Sequence, residues 1–140
     1  MAEFIMKHLV EQKGLSEQFT ISLAATTTEE LGNDIYPNAK AELKRRGIAF
    51  EKRRARQIRS DEYADWDLII AMDRENLAGI ERIVGNDPEH SDPEHKVRLL
   101  LSFAGEEKSI SDPWYTRNFA KAYDDIRRGC EALLGSLVQR

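Results

Sequence analysis

Asp67-Leu68-Ile69-Ile70-Ala71-Met72-Asp73 reads as a strand that runs straight into a helix. Leu68 to Ala71 are continuously apolar, which predicts a strand covered on both faces, because a half-exposed strand alternates. Asp73 supplies a short side-chain oxygen to cap a helix running to about Val84, and Gly85 ends it.

The elements on either side repeat this alternation. Ala2 to Lys13 places Phe4, Ile5, His8 and Leu9 at helical spacing and stops at Gly14. Phe19, Ile21 and Leu23 alternate with Thr20 and Ser22, so a strand is expected there, ending at Ala24 and Ala25. A polar loop through Gly32 and Asn33 follows. Pro37 then suits the first position of a helix that ends before Gly47, and Ser60 to Ala64 make a short helical turn. Val97 to Leu101 is expected to be a strand, and Ser102 to Ser111 a loop interrupted by Gly105. From Phe119 onward, Tyr123, Ile126, Cys130, Leu133, Leu134 and Leu137 share one face of a long terminal helix. Strands separated by helices predict an α/β sandwich around a parallel sheet, with ligands beyond the carboxyl ends of the strands.

Composition fits that architecture. The 140 residues suit one domain, 1–140, with one core. They are 41% hydrophobic and 33% charged, and no apolar run approaches the roughly 18 residues of a membrane span. Met1 opens an amphipathic pattern instead of a signal peptide. The one cysteine, Cys130, has no internal partner, which suits a reducing compartment, so a cytoplasmic location is expected with no membrane partner.

Charge is uneven along the chain. Lys40 to Arg59 holds nine Lys or Arg against Glu42 and Glu51, within a chain of formal net charge -4. A nucleic-acid surface is one reading of that density. The plainer one is that Lys44 to Arg46 complement the carbonyl end of a helix before Gly47. Phe50 is the one aromatic residue within the stretch, too few for a stacking platform, so no nucleic-acid partner is expected. Asp87-Pro88-Glu89-His90 recurs as Asp92-Pro93-Glu94-His95. These His and carboxylate groups suit a metal, but the proline-broken, charged context reads as a solvated loop, so no metal is expected. His8 reads as a partly buried helix residue, and no Gly-rich nucleotide loop is present, so no cofactor is expected.

In order and spacing, Ser22 to Thr26 with Gly32-Asn33, Ala55-Arg56-Gln57, Asp67 to Asp73 with Asn76, and Ser111-Asp112-Pro113-Trp114-Tyr115 resemble the low-molecular-weight protein tyrosine phosphatases over essentially the whole chain. The resemblance implies a three-layer sandwich with a small parallel sheet. It implies a cysteine thiolate that attacks phosphorus, a Cys-x5-Arg loop whose amides and arginine hold the equatorial oxygens, and an aspartic acid that protonates the leaving phenolate. Asp112 matches the acid, with Pro113 biasing it toward an extended conformation. Trp114 and Tyr115 match the aromatic wall, and the implied substrate is a phosphotyrosine protein or a small aryl phosphate.

Three departures from the pattern accompany the match. Met1-Ala2-Glu3 resemble the residues directly after the phosphate loop, so the family's first strand and its Cys-x5-Arg loop are expected to be missing ahead of Met1. Cys130 cannot replace them, since Ser136 and not arginine stands six positions on, and its place on an apolar helix face suits packing. Leu23 stands where the family places a loop-supporting serine, and Glu29 and Glu30 stand where some members line the substrate crevice with an aromatic. Carboxylates there would repel a dianionic phosphate. The chain is therefore expected to lack turnover, with no nucleophile of its own. Unpaired sheet edges are expected to drive a homodimer or larger oligomer. The alternatives are a non-catalytic scaffold or binding module of the same fold and, more weakly, an arsenate reductase, which needs further redox cysteines.

Overall fold

The computed structural model describes residues 1–22, 24, 37–52, 56–84, 95–110 and 118–138. Helix α1 spans Ala2–Gln12, α2 Pro37–Arg45, β1 Ile69–Ala71, α3 Arg74–Val84, β2 Val97–Leu99 and α4 Phe119–Val138. Short 3-10 turns cover Ser16–Gln18, Ser60–Asp65 and Leu100–Ala104. Gly14 and Gly47 follow α1 and α2 at φ 70° and 71°, the left-handed geometry that ends a helix without a Cβ clash.

β1 and β2 pair in parallel, with Ile69 opposite Val97, Ile70 opposite Arg98 and Ala71 opposite Leu99. The side chains of β1 divide between two layers, as a period of two requires. Ile69 and Ala71 join Val97, Leu99, Ile58 and Ile80 of α3 on one face. Leu68, Ile70 and Met72 pack on the other face against α1 and α4, where Ile5, Leu9, Val10, Tyr123, Ile126, Cys130 and Leu134 are buried. The result is a three-layer α/β sandwich. Both faces of β1 are covered, as its unbroken apolar run predicts.

Two expected strands come out differently. Phe19 is extended, at φ -129° and ψ 136°. Phe19 and Ile21 do pack against the core while Thr20 and Ser22 are exposed, so the alternation is real. Yet residues 19–22 are not a strand, because the side-chain pattern places a segment on the core while a ladder needs a hydrogen-bonded neighbour. The second strand stops at Leu99 instead of Leu101. Leu100 and Leu101 are both fully buried in the same cluster, which successive strand residues cannot achieve, and the Ser102 hydroxyl donates to the Leu99 carbonyl at 2.6 Å. The chain turns there and leaves through Gly105 at φ 78°.

Candidate functional site

The carboxyl end of β1 is the natural ligand end of this sheet, and several chain segments meet there. Asp73 Oδ1 accepts the Asn76 backbone N–H at 2.7 Å, and the Leu77 N–H reaches the Asp73 carbonyl at 3.0 Å, which starts α3. The chain returning from residues 100–104 docks on the same corner. Ile110 donates its N–H to the Met72 carbonyl at 2.9 Å and is buried. Ser109 Oγ accepts the Arg74 N–H at 3.0 Å, and the Arg74 guanidinium reaches the Glu107 carbonyl at 2.7 Å.

Residue 110 is therefore held at the carboxyl end of β1, directly ahead of Ser111-Asp112-Pro113-Trp114-Tyr115 in the sequence. At the far end of that segment Asn118 opens α4, its Oδ1 accepting the Lys121 N–H at 3.0 Å. Asp112, Trp114 and Tyr115 lie outside the described residues, as do Leu23, Glu29, Glu30 and residues 87–94 of the tandem repeat. His95, the last residue of that repeat, sits at φ 55°.

Beside the core, Glu62 organises the basic stretch. Its carboxylate is buried and accepts the Arg59 N–H at 2.6 Å and Arg56 Nη1 at 2.8 and 3.0 Å. Burial pushes the Glu62 carboxyl up, but the Arg59 N–H, the Arg56 guanidinium and the Trp66 side chain outweigh it and hold the group below the usual carboxylate range. Arg56 Nη2 also reaches Ser22 Oγ at 3.5 Å, linking this corner to the extended segment 19–22. Glu42 plays a similar part at the end of α2. Hydrogen bonds from Arg45 lower its carboxyl, against burial and with help from Arg46. Much of the arginine density is thus engaged internally, and sequence reading missed Glu42 and Glu62 as its buried partners. Glu42 carried a signal, an acid three and four residues ahead of Arg45 and Arg46 on one helix, whereas Glu62 carried none, since Arg56 and Arg59 reach it around a turn.

The model of the family described as "Low molecular weight phosphotyrosine protein phosphatase" matches residues 1–140. The chain belongs to that family. It is 33% identical to the low molecular weight protein-tyrosine-phosphatase YfkJ of Bacillus subtilis over 138 residues, covering 98% of this chain and 86% of the relative. It is 31% identical to the human low molecular weight phosphotyrosine protein phosphatase over 137 residues, covering 96% and 84%. The crystal structure of YfkJ superposes with a TM-score of 0.88 at 31% identity, covering 99% of this chain and 85% of that one. A Drosophila arginine phosphatase superposes with a TM-score of 0.85 at 28% identity, covering 97% and 87%.

Phosphatase chemistry in this family needs a nucleophile, and the one thiol among the 140 residues is Cys130. It is 2% exposed on α4, and burial pushes its pKa up to about 12. At neutral pH essentially none of it is thiolate, the reactive form. A cavity of about 410 Å3 is lined by Asp67, Leu68, His95, Arg98 and Phe103 among others. Arg98 stacks there on the Phe103 ring at 4.1 Å and donates to Ser102 Oγ at 3.2 Å.

Proposed function

We propose that this chain carries the acid and substrate-facing part of an aryl-phosphate hydrolase acting on phosphotyrosine proteins or other aryl phosphates, with Asp112 as general acid and Trp114 and Tyr115 as the aromatic wall. In the reaction a thiolate attacks phosphorus and the P–O bond to the aryl group breaks. Asp112 gives its proton to the leaving oxygen, and water then cleaves the phosphocysteine. The observation that supports this reading is the Ile110 N–H bond to the Met72 carbonyl, which holds Ile110, two positions ahead of Asp112 in the sequence, at the ligand end of β1.

The thiolate and its anion cradle must come from a Cys-x5-Arg loop that none of these 140 residues provides, since Cys130 is followed at that spacing by Ser136. The polypeptide by itself is therefore inactive. Glu29 and Glu30 border the crevice in this reading and disfavour a highly charged phosphorylated surface. The 140 residues act as one cytoplasmic domain. Among the described residues β2 is the only strand paired with β1, which supports pairing of the other β1 edge with a second copy. A scaffold role is the second reading, favoured by the inert Cys130.

Translating the coding sequence upstream of Met1 in frame, and expressing the result, separates the two. A strand followed by Cys-x5-Arg, with turnover that Asp112→Ala lowers by about a hundredfold or more, is the outcome expected of the hydrolase. An upstream stop codon, with no such loop encoded, leaves the scaffold.

A further inference from the structure

We infer that the cavity of about 410 Å3 beside Arg98 binds a small zwitterion, an α-amino acid with an apolar side chain, holding its ammonium on Asp67 and its carboxylate on Arg98. The cavity shares no lining residue with the corner formed by residues 72–74 and 107–110, so it stands or falls apart from the hydrolase reading.

Strand register decides which way Arg98 faces. Val97 and Leu99 pack with Ile69, Ala71 and Ile80 on the α3 side, so Arg98 between them, opposite Ile70, projects toward the α4 side. There it stacks on Phe103 at 4.1 Å and gives Nη2 to Ser102 Oγ at 3.2 Å. Both contacts fix the guanidinium without neutralising it, and its other N–H donors remain for a carboxylate. Asp67 stands three residues before Ile70, at most about 11 Å of chain, and lines the same cavity, so one small molecule can touch both. Among the described residues neither charge has an ion-pair partner, and the two do not pair with each other.

Opposite charges that share a cavity without meeting select what can sit between them. A simple anion drawn to Arg98 would meet the Asp67 carboxylate, and a simple cation drawn to Asp67 would meet the guanidinium. A ligand bearing both charges satisfies both. His95, which reaches the cavity from a backbone position at φ 55° ahead of β2, adds a ring N–H for the carboxylate. Leu137 borders the cavity from the last turn of α4, which has no basic residue, so the carbonyl end of that helix favours the ammonium. Leu68, Phe103 and Leu137 are partly buried and give the ligand's side chain an apolar wall. The volume falls within the range of roughly 300–1,000 Å3 usual for small-molecule sites.

Titration of the 140-residue chain with L-phenylalanine, phenylacetate and phenethylamine, followed by saturation-transfer NMR, tests the need for two charges without any substitution. L-phenylalanine is expected to bind, and each analogue, which lacks one charge, at least about tenfold more weakly, the scale of one hydrogen bond to a charged group. Asp67→Asn and Arg98→Gln, both at exposed positions, are each expected to weaken L-phenylalanine by a similar factor. Absence of transfer from L-phenylalanine at about 10 mM overturns the inference. So does either analogue binding as tightly as the amino acid, which would make the cavity a plain ion site. An affinity for L-phenylalanine unchanged in either variant overturns it too, because the ligand would then sit elsewhere.

Discussion

Glu62 is a carboxylate with 5% of its side chain exposed, facing the half-exposed Arg56 and the Arg59 N–H. Folding lowers its pKa from the ordinary 4.5, so its stabilising contribution is complete above that value and is lost as pH falls through the lower, folded one. Glu62→Gln is expected to cost about 1 to 3 kcal/mol at neutral pH, the range for hydrogen bonds to a buried charged group with a solvent-screened partner. Urea denaturation measured from pH 7 down to pH 3 should show the parent and variant curves converging below pH 4.5; parallel curves would remove the ion pair from the explanation. At this scale the sequence was legible where one residue type decides the outcome. Asp73 was readable as a cap because a short oxygen before an apolar helical run has few other uses. Cys130 was readable as core because its neighbours at helical spacing are apolar. Glu62 was not, since its role depends on Arg56 and Arg59 folding back around a turn.

The terminal helix α4 lies close to the turn Leu100–Ala104 because Gly129 has no side chain there. A Cβ built on Gly129 would stand 2.5 Å from Leu100 Cγ, and Leu100 is 1% exposed with nowhere to retreat. Gly129→Ala gains about 1 kcal/mol of helix propensity but overpacks the core by about 1 to 3 kcal/mol, so a net loss is expected. Gly135 on the same helix has open space at its Cβ position, and Gly135→Ala should stabilise by about 0.5 to 1 kcal/mol. Thermal melts of the two variants should therefore shift in opposite directions, and a stabilised Gly129→Ala would contradict the close approach. Elements with one strong period, α1, α3 and α4, were legible in the chain. The ends of the strands were less so. Leu100 and Leu101 continue the apolar run of β2, and only the fit of both side chains into one cluster ends the strand at Leu99. Among the described residues, 19–22 carry a strand's alternation without forming a strand, and pairing is a property of two segments that one cannot announce.

At the scale of the molecule, β2 is the one strand paired with β1 among the described residues, and β1 is covered on both faces, so the proposed pairing between copies would use its other edge. Light scattering on the purified chain is expected to give a mass near twice 16.1 kDa at micromolar concentration, falling on dilution. A monomer throughout, with a cooperative melt, would contradict pairing between copies. Asp112, Trp114 and Tyr115 enter the account only through the family pattern, because an acid with a following proline and aromatic neighbours has meaning only beside a phosphate cradle. The fastening of residues 107–110 to residues 72–74 was not legible, since those partners lie about 35 residues apart in the chain and meet only when the return from β2 docks on β1. The most direct test is the hydrolysis of an aryl phosphate by the 140-residue polypeptide, its mass verified to begin at Met1. Cleavage no faster than the buffer blank is expected, because the only thiol is buried in α4 with its pKa pushed to about 12. Turnover above the blank that Asp112→Ala abolishes would contradict it.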